Sequence, residues 1–116
     1  MNDTNNSTGF LDRRSKKGLA AFPEGAQSIC LSALTIAAEG GKADIAKPMK
    51  GLGSGVFEIA MPYRGNAFRV VYAVQLGADL WVVHAFQKKS TQGISTPKHE
   101  IDLIKDRIKR LKELLR

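Results

Sequence analysis

Residues 56–87 read VFEIAMPYRGNAFRVVYAVQLGADLWVVHAFQ, and this stretch decides the fold. It contains three runs rich in β-branched and aromatic residues, a composition typical of β-strands. The runs are 56–61, 67–75 and 80–87. The segments between them are short and carry turn residues such as Gly, Pro, Asn and Asp, so each suits a hairpin. Strands joined in this way pair antiparallel, and the stretch therefore predicts an antiparallel meander.

A helix is predicted on each side of the meander. Pro23 and Glu24 suit a first helical turn, and Gly40 with Gly41 ends the apolar pattern that follows. The apolar positions of that pattern are Ala26, Ile29, Cys30, Ala33, Leu34 and Ala37. Thr96-Pro97 signals the start of a last helix, which has the strongest apolar period of the chain. Its apolar positions are Ile101, Ile104, Ile108, Leu111 and Leu115. The predicted fold class is α+β, a small antiparallel meander packed against N-terminal helices and a C-terminal helix.

The remaining segments are less regular. Residues 1–9 are polar and lack the basic start and apolar centre of a signal peptide, so we expect a disordered tail. Residues 10–116 then form a single domain, as the chain length of 116 allows. Within it, 10–19 supports at most a short helix, and 42–55 is rich in lysine and glycine, which predicts a basic loop. The glycine-rich part at 51–55 precedes a strand, so it is interpreted as a hinge loop and not as a phosphate cradle.

The composition limits the class of protein. Lys and Arg number 18 against 11 Asp and Glu, giving a formal net charge of +7. Such a surface attracts polyanions, and nucleic acid is the first candidate partner. No apolar run approaches the roughly 20 residues that a membrane-spanning helix needs, so no membrane partner is expected. The single cysteine, Cys30, cannot form an internal disulfide, which favours a reducing compartment, the cytoplasm.

Arg69 interrupts an otherwise apolar strand. Strand alternation places it on the face opposite Phe68 and Val70. Because an unpaired buried guanidinium is costly, its side chain must reach solvent, a bound anion or a carboxylate such as Glu58. A structural pair with Glu58 across the first hairpin and a functional contact with an anion remain equally open at this point.

Other basic side chains could join Arg69 in one positive concavity. Lys88 and Lys89 end the third strand and suit a phosphate contact, although strand-end lysines are also commonly solvated or guard a sheet edge. Tyr63, in the first hairpin, is the best candidate for stacking on a base. The other members of this candidate RNA-binding set are Lys47, Lys50, Arg64 and Lys98.

The two histidines have different expected environments. With the single cysteine they show no metal-ligand spacing, so no metal site is predicted. His84 is assigned to a strand face shared with Leu80, Val82 and Phe86, where a neutral, hydrogen-bonded core histidine is expected. His99 lies near the start of the last helix and is expected to be exposed, as a candidate proton-transfer group or as a plain surface histidine.

Five short motifs follow one another along the chain. They are KPMKG at 47–51, FEI at 57–59, FRVVY at 68–72, HAFQKKS at 84–90 and TPKHEI at 96–101. Their combination resembles the HigB-like, phage-derived branch of the RelE/ParE toxin superfamily. The resemblance covers the chain from about Phe22 to the carboxyl terminus.

This resemblance implies a RelE-like fold and an activity. The activity is that of a ribosome-dependent, metal-independent endoribonuclease, an mRNA interferase that cleaves translated mRNA. The implied partners are the ribosome, mRNA and a cognate antitoxin of the helix-turn-helix type. Toxins of this superfamily usually open with a β-strand, which here is expected to be reduced to residues 9–11 or missing. A missing strand would leave a sheet edge that an antitoxin or a second copy could cover.

The resemblance also assigns roles to individual residues. Arg69 matches the strand arginine that is implied to contact the scissile phosphate. Lys89, preceded by Lys88, matches the basic position after the last strand. The proton-transfer group has no plain match, and His99 with Thr96 and Lys98 occupies its neighbourhood.

Two other functions remain open on the sequence. A gyrase-poisoning toxin of the ParE branch shares the architecture but not the phosphate-cleaving residues, and Arg69 with Lys88 and Lys89 favours the nuclease over it. A non-catalytic, basic nucleic-acid-binding phage accessory protein would bind without cleaving.

Overall fold

The computed structural model describes residues 10–11, 18–53, 55–76, 79–89 and 96–114. Its centre is a five-stranded sheet. The strands are β1 Phe10–Leu11, β2 Ala46–Pro48, β3 Val56–Tyr63, β4 Asn66–Leu76 and β5 Asp79–Lys89. The two long helices are α1 Glu24–Ala38 and α2 Lys98–Leu114, and residues 18–20 are also helical. The expected tail at 1–9 lies outside the described residues.

The strand order in the sheet is β1-β5-β4-β3-β2. Neighbours from β2 to β5 pair antiparallel, and β1 pairs parallel with β5, Phe10 opposite Trp81. The α+β class and the meander with flanking helices are thus confirmed. A first strand is present within the expected residues 9–11, since β1 includes Phe10 and Leu11 among the residues that the structure describes.

The segment predicted as a basic loop contains a strand, so that prediction is wrong in part. Within 42–55, β2 pairs with β3, Lys47 opposite Glu58, and the Met49 amide donates to the Val56 carbonyl at 2.9 Å. A three-residue edge strand is too short to show a period of its own, and its hydrogen bonds come from the neighbouring strand. The glycines that follow adopt φ values of +82° at Gly51 and +91° at Gly53, which explains the choice of glycine in this turn.

Helix α1 packs on one face of the sheet. Its buried positions match the predicted stripe except for Ile29, which is 39% exposed and was wrongly assigned to the core. Ile29 lies at the margin of the stripe. Cys30 is fully covered, and burial raises the pKa of its thiol to about 12 because the thiolate would lose its hydration. Tyr72, also in this core, has its pKa raised by burial and stacks on Phe57 at 5.4 Å between ring centroids.

Helix α2 packs on the opposite face. Ile104 and Ile108, four residues apart on one side of the helix, are buried against the sheet. The sheet and loop residues that they join in this second core are Leu52, Val56, Val71, Ala73 and Val83. The two faces of the meander are therefore both covered, each by one helix.

A β-bulge in β5 changes the face of the sheet on which the residues after it lie. Val71 lies opposite His84 but Tyr72 lies opposite Val82, so Val83 is an extra residue in the strand. Leu80 and Val82 therefore face α1, whereas His84 contacts α2. The assignment of His84 to the same face as Leu80 and Val82 was wrong, because strict alternation does not foresee a bulge.

Candidate functional site

Arg69 lies in a buried polar network on the α2 face of the sheet. Its Nη1 atom is 3.1 Å from Oε2 of Glu58, and Arg69 is 8% exposed. The hydroxyl of Thr96 donates to the same carboxylate oxygen at 2.7 Å and accepts from Arg69 Nη1 at 3.4 Å. The pairing of Arg69 with Glu58 is confirmed. Its contact with a scissile phosphate stays a prediction.

The backbone explains why these three side chains meet. Glu58 lies opposite Val71 and Arg69 opposite Ala60, so the two charges are diagonal neighbours on adjacent strands. Thr96 is two residues ahead of α2, and its hydroxyl closes the network from above the sheet. The sequence offered Glu58 as a partner, but the contact with Thr96 was missed because 38 positions separate it from Glu58.

A second polar network attaches α2 to the sheet at His84. Arg107 Nη1 is 2.8 Å from His84 Nδ1 and donates to the Val83 carbonyl at 3.0 Å. Because arginine can only donate, Nδ1 must accept, and the ring hydrogen is on Nε2. His84 Nε2 then donates to Glu100 Oε1 at 2.7 Å. The predicted buried, hydrogen-bonded histidine is confirmed by this geometry.

Sequence reasoning missed Glu100 and Arg107. Their spacing of seven places them on one side of α2, which is a signal that can be read from sequence once the inward face is known. Phe86 connects the two networks, since it lies opposite Arg69 and stacks on His84 at 5.0 Å between centroids. The α2 face of the sheet therefore carries two polar networks side by side, one completed by Thr96 just before α2 and the other by Glu100 and Arg107 of α2.

The hairpin between β3 and β4 brings further predicted residues to one end of the sheet. Arg64, with a φ of +52°, lies over the Tyr63 ring, its guanidinium carbon 5.4 Å from the centroid. Tyr63 is half-buried against the edge of Phe68 at 6.4 Å. By backbone register, Lys88 lies opposite Ala67 and Lys89 opposite Asn66. Their side chains are outside the described structure.

The other candidate residues lie in two places. Lys98 and His99 are exposed in the first turn of α2, next to Thr96, and the His99 side chain is 80% exposed. This confirms the expected exposure of His99, whose Nε2 is 3.8 Å from Glu100 Oε2. Lys47 is exposed on β2, directly opposite Glu58, whereas nothing described brings Lys50 to the Arg69 network.

The Arg69 network contains groups that suit phosphate binding and proton transfer. A guanidinium is a strong donor to phosphate oxygens, and a neighbouring carboxylate can accept a proton. Among the residues that the structure describes, no three His, Cys, Asp or Glu side chains form a group that could hold a metal ion. Across the same ranges, no helix is long and apolar enough to cross a bilayer.

Comparison with known proteins identifies the family of the chain. No curated protein and no solved structure matches the chain. The family model described as "Phage derived protein Gp49-like (DUF891)" matches residues 17–109, which include both helices up to the last turns of α2 and strands β2 to β5. The chain therefore belongs to the phage-derived Gp49-like family.

Proposed function

We propose that this protein is the toxin of a type II toxin–antitoxin system and cleaves translated mRNA on the ribosome, as a HigB-like member of its family. The observation that carries the proposal is the Arg69 network. A guanidinium in the middle strand of the sheet lies beside a carboxylate and a hydroxyl, and the exposed Lys47 and Lys98 lie on the same side.

RNA cleavage without a metal has three needs. The 2′-hydroxyl must lose a proton, the extra negative charge on the phosphorus centre must be stabilised, and the leaving 5′-oxygen must gain a proton. Arg69 suits the second need. By register Lys88, opposite Ala67, falls on the same face of the sheet as Arg69 and gives it electrostatic support, whereas Lys89, opposite Asn66, falls on the other face and is assigned a further phosphate contact at the end of the strand. Preorganised donors of this kind act where charge develops in the transition state.

The pairing of Arg69 with Glu58 imposes a condition on this mechanism. When RNA binds, a phosphate oxygen must join Glu58 and Thr96 as an acceptor for the Arg69 donors. Glu58 is then the nearest carboxylate to the reacting group, so it becomes a candidate proton acceptor in addition to His99, which the sequence had suggested. The proton for the leaving 5′-oxygen comes from His99 or from a ribosomal group.

The proposed partners follow from the same chemistry. The net charge of +7 favours binding to ribosomal RNA and mRNA through phosphate contacts, and such binding weakens as salt concentration rises. In the cytoplasm, an antitoxin of the helix-turn-helix type would bind the toxin and inhibit it until the toxin is released.

The experiment is induced expression of the chain in bacteria, with growth and mRNA ends measured in the same cells. We expect growth arrest, with new 5′ ends inside translated reading frames that disappear when the start codon of the reporter mRNA is removed. DNA breaks without new mRNA ends would instead indicate gyrase poisoning. Normal growth, with RNA binding alone, would indicate a nucleic-acid-binding accessory protein.

A further inference from the structure

A second basic site lies between the far half of α2 and the glycine turn that precedes β3. It is a cavity of about 310 Å³. Its lining residues, called here the lysine pocket, are Gly51, Leu52, Gly53, Lys105, Ile108, Lys109 and Lys112. None of them belongs to the Arg69 network or to the candidate RNA-binding set described above.

The pocket is basic because of the spacing along α2. Lys105, Lys109 and Lys112 are separated by four and three residues, so they share one side of the helix. All three are exposed at the rim, while the apolar floor is closed, with Leu52 at 7% and Ile108 at 5% exposure.

The glycine turn forms the opposite wall with backbone alone. Gly53 has a φ of +91°, and a Cβ added to it would lie 3.9 Å from the Lys112 ammonium. The lysine chain therefore extends over the turn. A side chain at this position would occupy part of the space between the turn and the helix.

Among the described residues, none of the three ammonium groups forms an ion pair with a carboxylate. On the same helix, the carboxylate of Asp106 is paired with Arg110 at 3.1 Å. Three like charges at one cavity repel each other unless an anion lies among them.

We propose that the lysine pocket binds the phosphodiester backbone of RNA at a distance from the Arg69 network. Lysine binds phosphate as a point charge, without the geometric demands of a bidentate contact. The apolar floor is already covered, so the pocket offers a protein partner charge but little hydrophobic surface, whereas stable protein interfaces need a buried apolar centre. The ligand is therefore a nucleic-acid strand, whose phosphodiester groups carry the negative charge, and not an acidic protein.

The position of the pocket defines what it would do. Lys109 is 11 residues past Lys98, which corresponds to roughly 17 Å along the helix at the standard rise. A single strand whose phosphate lies at Arg69 could place a phosphate several nucleotides away in the lysine pocket. This inference rests on the proposed function for its biological meaning, but the binding itself is measurable without any cleavage.

The test compares two double variants of the full chain with equal charge. Lys109→Gln with Lys112→Gln removes two pocket charges, and Lys42→Gln with Arg110→Gln removes two exposed charges elsewhere. Each is titrated against a fluorescein-labelled single-stranded uridine RNA of about 12 nucleotides, by anisotropy, at salt concentrations between about 50 and 200 mM. Thermal unfolding confirms that both variants fold.

We expect the slope of log affinity against log salt to become shallower by about 1.4 for the pocket variant, since each phosphate contact of a single strand contributes about 0.7. The control variant should keep a slope close to that of the wild type. Equal losses in both variants, or no loss in the pocket variant, would overturn the proposal. A fluorescein-labelled oligoglutamate peptide with the same dependence on Lys109 and Lys112 would also overturn it, in favour of an acidic protein.

Cleavage of translated mRNA is assayed separately for each variant. If the wild type cleaves mRNA but the pocket variant keeps the wild-type slope of log affinity against log salt, the RNA site in the lysine pocket is contradicted and the proposed function is not. Absence of cleavage together with the expected slope change would contradict the proposed function while leaving the RNA site in place.

Discussion

Glu58 Oε2 lies 3.1 Å from Arg69 Nη1 and 2.7 Å from the hydroxyl of Thr96, so one carboxylate oxygen holds both groups. The Arg69 and Glu58 side chains are only 9% and 17% exposed, so little water competes with the pair. This makes Glu58 the group that fixes the guanidinium on the sheet. It also means that any ligand of Arg69 must compete with, or add to, an internal contact.

Replacing Glu58 by glutamine should destabilise the fold. The Glu58→Gln side chain keeps the shape but leaves the mostly buried Arg69 charge without its counter-ion, at a cost of about 2 kcal/mol in the free energy of unfolding. Urea unfolding followed by circular dichroism measures it. Asp106→Asn is the matched control, because its pair with Arg110 is exposed and should contribute about 0.5 kcal/mol. Equal losses in the two variants would contradict the structural role of Glu58.

Arg69→Lys should remove most of the mRNA cleavage while keeping the positive charge. An ammonium cannot bind Glu58 and a phosphate with the fixed fork of a guanidinium. Loss of one preorganised donor typically costs about 10²-fold to 10³-fold in rate. The measurement is primer extension on translated mRNA, with thermal unfolding as the folding control. A folded Arg69→Lys protein that cleaves at the wild-type rate would show that Arg69 has a structural role only.

Two arginines three positions apart on α2 should differ sharply in their effect on stability. Arg107 Nη1 donates to His84 and to the Val83 carbonyl, in a part-buried position at the bulge. Arg107→Ala leaves those acceptors without this donor and should cost about 2 kcal/mol. Arg110→Ala breaks only an exposed pair with Asp106 and should change stability by about 0.5 kcal/mol or less. Denaturant unfolding of both variants under the same conditions tests the difference.

The sequence predicts the elements whose residues carry a period of their own. The strands of the meander and the buried Ile104 and Ile108 of α2 follow directly from spacings of two and of three to four. Strand β2 does not, because three residues show no period and their pairing comes from β3. The direction of His84 could not be predicted either, since a single extra residue, Val83, reverses the alternation.

The residues of the candidate site were likewise predictable only where a local pattern in the sequence pointed to them. Arg69 was identified because a charged residue in an apolar strand requires a partner, and Glu58 is close enough along the meander to be named as one. Arg107 reaches its partners from α2 and Thr96 from the residues just before it, and such contacts depend on how the helix lies across the sheet. The position of a helix on a sheet is set by packing of both surfaces, which the local sequence of neither surface reveals.

Stability should fall in alkaline solution because of Cys30. Burial raises the pKa of its thiol from 9.0 to about 12, so the unfolded chain releases a proton at a pH where the folded chain does not. The stabilising effect is complete below pH 9.0 and is lost as the pH rises from 9.0 toward 12, at about 1.4 kcal/mol per pH unit. The measurement is the urea unfolding free energy at about pH 8 and pH 10.

Cys30→Ala is the control, since it lowers stability at both pH values through the lost volume but should show a smaller decrease between them. Burial also raises the pKa of Tyr72, which is present in both proteins and cancels in the comparison. The same pH dependence in the wild type and Cys30→Ala would mean that the thiol ionises as readily in the folded chain as in the unfolded chain.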